Sequence, residues 1–134
     1  MNIRFAESDD LDTISDYDKH IAEKELLSAI NQKRILIAEE NGEFTGWLRF
    51  NLFWDNTPFM NMLFVIEPHR GKGIGRQLVA RWESEMKSLS FKLLMTSTQA
   101  NENAQHFYRK LNYKDAGSLL LPDEPLEIIF IKEV

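Results

Sequence analysis

The chain has 134 residues with 43% apolar residues, enough for a single domain with a real core (residues 1–134), and that fraction argues against disorder. It has no cysteine, which excludes a disulfide framework, a thiol nucleophile and a cysteine zinc site. Sixteen basic against 21 acidic residues give a formal net charge of −5. No basic cluster stands out beyond Arg70 to Arg76, so a nucleic-acid partner is not expected. The lack of cysteine fits a reducing, cytoplasmic location; no stretch reaches membrane-span length and the N-terminus lacks a signal-like apolar core, so no membrane partner is expected.

Residues 2–6 read as a strand. Ser8 is placed to cap a helix starting near Asp9, with Leu11, Ile14 and Tyr17 on one face. The acids Asp9, Asp10, Asp12, Asp16, Asp18, Glu23 and Glu25 read as a solvated helix face; the competing reading is a field that attracts a cationic substrate. A second helix is predicted over about Glu23 to Gln32, then a strand over Arg34 to Glu40. Asn41-Gly42 is a two-residue hairpin signal, and the next strand runs from Glu43 to about Trp54. Asp55-Asn56-Thr57-Pro58 reads as a turn. A strand then leads to Ile66, and Pro68, with no N–H to give a sheet, closes it.

Arg70-Gly71-Lys72-Gly73-Ile74-Gly75 follows and opens a helix to about Leu89. Its Ile74, Leu78, Val79, Trp82 and Met86 form a core stripe. A strand, a glycine-rich turn and a helix start aim backbone N–H groups and a positive helix end at one point, a seat for phosphate. The turn is not a dinucleotide fingerprint, because the third glycine would fall at Arg76. Nor is it a P-loop, because Gly75 precedes Arg76 and Gln77 rather than lysine and a hydroxyl residue. Lys92 to Thr98 is a further strand. Ala104, Phe107, Tyr108 and Leu111 keep helical spacing, with Asn112 as a left-handed cap. Tyr113 onward and Leu126 to Ile131 are two last strands, joined through Leu121 to Pro125. The order is mixed α/β.

Two segments carry a resemblance. Arg70-x-x-Gly73-x-Gly75 matches the R/Q-x-x-G-x-G/A signature of the GNAT superfamily of N-acetyltransferases, and Asn101 to Tyr113 is similar to that family's N-x-x-A-x-x-F-Y-x-x-x-G-F segment. The element order fits along essentially the whole chain. The resemblance implies an α/β (α+β) single-domain GNAT-like acyltransferase fold: a central, mixed but mostly antiparallel sheet of 6–7 strands flanked by about four helices.

The resemblance further implies acetyl-CoA as co-substrate and no metal. It implies transfer of the acetyl group to a primary amine of a small molecule or peptide by direct attack; the alternative is a non-catalytic acetyl-CoA-binding sensor or assembly subunit. By similarity, backbone N–H groups from Gly71 through Lys72, Gly73, Ile74 and Gly75 to Arg76 would hold the pyrophosphate. Arg70, Lys72 and Arg76 add charge, and Arg70 could instead fix the loop through backbone carbonyls. Leu63 N–H would face the acetyl carbonyl, Val65 would pair with the pantetheine arm, and Phe64 would face the other side of the sheet. Asn101 would sit near the pantetheine–pyrophosphate junction, with a helix cap as its structural alternative. Ala104, Phe107 and Tyr108 would complete the coenzyme site, and Tyr108 would protonate the leaving sulfur. His106 reads as a surface residue.

The strand before the turn has no acid at Phe59, Met60, Asn61 or Met62, so the base is left among a water chain organised by Asn61, Asp55 and Glu67. The acceptor is expected near Tyr17 to Leu27 and Leu120 to Pro125, with Trp54 and Asp55 as a cation-recognising wall joined by Asp123 and Glu124. Exposed edge strands leave a homodimer open.

Overall fold

The computed structural model describes residues 1–134. Seven strands form one sheet: β1 (Asn2–Phe5), β2 (Ile35–Glu40), β3 (Glu43–Phe53), β4 (Thr57–Val65), β5 (Leu93–Gln99), β6 (Lys114–Leu119) and β7 (Glu127–Glu133). Their spatial order is β1-β2-β3-β4-β5-β7-β6. Every neighbouring pair is antiparallel except β4 and β5. The helices are α1 (Leu11–Tyr17), α2 (Glu23–Asn31), α3 (Ile74–Ser88) and α4 (Ala104–Lys110).

The two faces of the sheet carry separate cores. On one, Ile74, Leu78, Val79, Trp82 and Met86 of α3 are all buried, and they meet Leu36, Leu48, Met60, Tyr108 and Phe130. The predicted stripe is therefore the buried face of α3, as expected when one side of a 3.6-residue period is apolar. On the other face Ile14 of α1 and Leu26 and Ile30 of α2 cover Ile35, Ile37 and Trp47. That second core reaches only as far as β3 and part of β4 (Met62), so the sheet beyond it is left without a helix on this side.

Three local expectations change. The first helix is capped by Glu7, not Ser8: the Glu7 side chain and Asp10 exchange a reciprocal capping box around a single 3-10 turn, Ser8–Asp10. Pro58 lies inside β4, buried and paired with Leu52, rather than in the turn. β5 joins only from Phe59 onward, so one side of the strand is free at Pro58 and a missing N–H is tolerated. The left-handed turn residues are Trp54 (φ 55°) and Asp55 (φ 65°).

The acidic run is not uniformly solvated. Asp18 is buried, and its carboxylate accepts from Arg49 Nε at 2.8 Å, Arg49 Nη2 at 3.3 Å and Trp47 Nε1 at 3.3 Å. Asp10 is also paired, with Arg4. That pairing holds its carboxyl below the usual carboxylate range through the hydrogen bond from the guanidinium, and it holds Arg4 more firmly protonated.

Candidate functional site

β4 and β5 touch through only two register pairs, Phe59 with Met95 and Met60 with Thr96, and then separate. Thr96 Oγ1 donates to the Met60 carbonyl at 3.0 Å and closes the last rung. Beyond it lies a cleft of about 640 Å³ lined by Asn61, Leu63 and Phe64 on one wall and Thr98, Glu127 and Tyr108 on the other. A volume of this size falls in the range of small-molecule sites.

The backbone along β4 is presented to this cleft. Ile66 N–H donates to the Thr45 carbonyl on β3. Hydrogen-bonding direction alternates along an antiparallel pair, so Leu63 and Val65 turn their N–H and C=O groups toward the open side. Arg70 Nε reaches the Val65 carbonyl from that side at 2.7 Å, and the Arg70 guanidinium lies over the Phe64 ring, 4.9 Å from its centroid. Arg70 thus fixes the loop through a backbone carbonyl. Phe64 itself packs at a tilt against Trp47, on the α1–α2 face, while Leu63 and Val65 side chains pack with the α3 core.

Next along the chain, Gly71 (φ 79°) and Gly73 (φ 83°) adopt left-handed backbone that only glycine takes without strain. Gly73 is the N-cap residue of α3. Gly75 has no such need: a Cβ there would make ordinary contact with Phe107 and Val65, at 3.7 and 3.8 Å. The first backbone bond of α3 runs from Gln77 N–H to the Gly73 carbonyl. The N–H groups of Gly71 through Arg76 donate to no backbone carbonyl, so they converge unspent at the positive end of the helix dipole. Lys72 and Arg76 are exposed beside them. A second pocket of about 460 Å³ joins this turn to Val65, Phe107, Lys110 and Leu111.

Tyr108 stands on α4 over the α3 face of the gap, buried, with its ring edge-on to Phe107 and Tyr113. Burial pushes its phenol up to about 12, the neighbouring Glu102 charge adds to that, and the Thr96 hydroxyl pulls the other way. Tyr108 is therefore neutral throughout the physiological range. Behind it, Tyr113 donates to Glu83 Oε2 at 2.7 Å, and Lys132 reaches the same carboxylate at 3.1 Å, which ties α3 to β7. Burial and that carboxylate raise Tyr113 beyond any titration in working conditions.

The other expected residues fall in different places. Ala104 lines the cleft and Phe107 lines the pocket beside the glycine turn. Asn101 is exposed in the turn before α4; the residue at the N-cap position is Asn103, so Asn101 does not cap the helix. Asn61 is exposed and lines the cleft. Trp54 (78% exposed) and Asp55 form the tip of the β3–β4 hairpin, and the Trp54 ring packs against that of Phe53. Neither they nor Glu67, Asp123 or Glu124 line the cleft, although Glu124 holds Gln99, which does.

Sequence reading missed Glu127, and it gave no role of its own to His20 within the expected stretch Tyr17 to Leu27; both stand in the cleft wall. Glu127 Oε2 accepts from Ser97 Oγ at 2.7 Å across β5 and β7. Its signal was present as an acid opening an otherwise apolar strand, Glu127-Ile128-Ile129-Phe130-Ile131.

A model of the acetyltransferase (GNAT) family matches residues 3–113. The L-amino acid N-acyltransferase MnaT of Escherichia coli is 26% identical over 84 residues, 59% of this chain; the chain spans about half the length of that relative, 49%. An acetyltransferase of the GNAT family from Bacillus cereus is 25% identical, with a TM-score of 0.79 over 98% of this chain and 96% of that one. The PaiA N-acetyltransferase of Thermoplasma acidophilum, in complex with coenzyme A, superposes with a TM-score of 0.83 at 17% identity over 99% and 98% of the two chains. With the parted strands, the glycine turn and the family match in agreement, the chain belongs to the GNAT acetyltransferase family.

Proposed function

We propose that residues 1–134 act as one acetyl-CoA-dependent N-acyltransferase domain that transfers an acetyl group to a primary amine of a small molecule or peptide. One observation carries this reading: the gap between β4 and β5 ends at a turn of unspent N–H groups and holds Tyr108 over one face. The acyltransferase name of the Escherichia coli relative and the coenzyme A complex of the Thermoplasma protein support it.

In this reading the diphosphate of the coenzyme rests on Gly71 to Arg76, with Lys72 and Arg76 supplying charge. The pantetheine arm lies along β4 as an added strand and bonds the free N–H of Val65, whose carbonyl Arg70 already holds. Leu63 N–H meets the thioester oxygen, where charge builds up as the tetrahedral intermediate forms; one such donor contributes on the order of 10²–10³ in rate. The acceptor enters as an ammonium and sheds one proton before attack. Its lone pair forms the N–C bond, the C–S bond breaks, and the second nitrogen proton is lost as the amide forms. The thiolate takes up one proton from Tyr108, which is reloaded from solvent, so one proton is released per turnover.

Two measurements test this. Calorimetry should show acetyl-CoA binding, and a panel of primary amines should show acceptor-dependent thiol release. Tight binding with no acceptor-dependent thiol across the panel would overturn the enzymatic reading.

A further inference from the structure

The gap presents different chemistry to its two sides. Tyr108 packs against Phe130 on the α3 face. On the opposite face the same gap shows Ser97, Gln99 and Glu127, because side chains alternate along β5 and β7 and these three share one side. Glu127 is half-buried, Ser97 holds one of its oxygens, and the other has no protein donor. Such a carboxylate is fixed in direction and keeps an open lone pair for a cation.

From the same place a groove of about 280 Å³ runs away from the cleft. Asn61 and Ser97 line both, so the two spaces meet at those residues. Phe53, Phe59, Met95, Leu119 and Ile129 line the groove itself. This is the part of the sheet that α1 and α2 do not reach. A carboxylate at one end and five apolar side chains beyond it form a two-part pocket.

We infer that Glu127 and this groove together form the acceptor subsite, and that the acceptor is a primary amine bearing a branched aliphatic or aromatic group. The inference rests on the acyltransferase reading above. The ammonium sits at Glu127, which takes its proton, and the apolar group lies along Phe59, Ile129 and Leu119. The incoming amine is then deprotonated on one face of the sheet while the leaving thiolate is protonated on the other. His20 and Glu102 also line the cleft and Glu124 sits on Gln99, so these three groups share the electrostatic field around Glu127.

The test compares kcat/KM, by thiol release from acetyl-CoA, for leucinamide, phenylalaninamide and glycinamide. The two apolar amides should exceed glycinamide by tenfold or more, in keeping with what buried methylenes contribute to discrimination. Leu119 is 50% exposed at the sheet edge, so Leu119→Asp should fold; it should bring that ratio toward one. Glu127→Gln should lower kcat/KM for all three by on the order of 10² or more, and Glu127→Asp should recover part of the loss. Acetyl-CoA affinity, read by calorimetry, should stay at its wild-type value in every variant.

Equal kcat/KM for leucinamide and glycinamide, or a ratio unmoved by Leu119→Asp, overturns the groove while leaving the acyltransferase reading intact. Full activity in Glu127→Gln removes it as the proton acceptor. A dimer in sedimentation that Leu119→Asp dissociates would mean that a second copy covers the groove, and would overturn the subsite. Thiol release with none of the three amines, nor with the broader panel, takes down both.

Discussion

Tyr108→Phe removes one hydroxyl from the α3 face of the gap and leaves the ring packing in place. The leaving thiol has a pKa of about 8.5 in its simplest form, and an ordinary phenol about 10, so proton transfer from free tyrosine to the thiolate is uphill by about 2 kcal/mol. Burial raises Tyr108 to about 12, and the transfer then becomes uphill by about 5 kcal/mol. Bulk water, at about 15.7, would be uphill by about 10 kcal/mol, so Tyr108 remains the better donor by a wide margin. A weak acid gives its proton late, as the C–S bond breaks. Its contribution should fall at the low end of general-acid effects, about a hundredfold in kcat. Single-turnover kinetics with a good acceptor should show that loss, while calorimetry finds acetyl-CoA affinity nearly unchanged. The wild-type pH profile should show no limb from tyrosine ionisation below about pH 10. The raised pKa also contributes to stability that is fully present below the unfolded value near 10 and is lost as pH rises through about 12. Between those limits the wild type should lose about 3 kcal/mol more than the Phe variant in urea titrations. A kcat within twofold of wild type would refute the acid role. An alkaline limb near pH 10 that vanishes in Tyr108→Phe would refute the burial argument instead.

Gly73→Asp places a Cβ on left-handed backbone (φ 83°) and a negative charge where the coenzyme's diphosphate should rest; calorimetry should show acetyl-CoA affinity lower by on the order of a hundredfold or more. Asp18→Ala leaves the Arg49 guanidinium buried without its partner and should cost about 3–5 kcal/mol. At about 2.1 cal/mol/K per residue over 134 residues, that is about 10–18 °C in Tm by circular dichroism. Adding Arg49→Met should recover most of it, and a single-variant loss below about 1 kcal/mol would show the pair to be idle. Gly46→Ala sets a Cβ 2.7 Å from the Phe64 carbonyl, a backbone atom with little room to move; a loss of about 1–3 kcal/mol in urea unfolding is expected.

What was legible in the sequence was local. Asn41-Gly42, the glycine turn, the α3 stripe and Asn112 in left-handed backbone (φ 71°) each declare themselves within a few residues. What was not legible depended on distant partners. Asp18 looks like its acidic neighbours until Arg49, 31 residues on, arrives beside it. Glu127 depends on Ser97, 30 residues before it, and on the strand order that brings β7 beside β5. The wall expected from Trp54 and Asp55 was read from adjacency in sequence, yet the hairpin carries both to its tip, and neither lines the cleft.

The segment Met60-Asn61-Met62-Leu63 explains why one strand serves both faces. Met62 pairs with Arg49 and Met60 with Phe50, so Asn61 is an extra residue opposite two consecutive residues of β3, a β-bulge. In an unbroken strand Met60 and Met62 would share a face. Instead Met60 is buried in the α3 core, Met62 packs with the α1–α2 core, and Leu63 returns to the α3 side. The bulge therefore switches the parity of β4 at the very point where β5 departs after Thr96. Without it, Leu63 would turn its N–H toward β3 rather than toward the gap. An apolar run such as Met62 to Ile66 shows no alternation, so nothing in the sequence marks the switch. Deleting Asn61 should accordingly abolish catalysis far more completely than substituting it, because Asn61→Ala keeps the extra backbone unit and the parity that points Leu63 into the cleft.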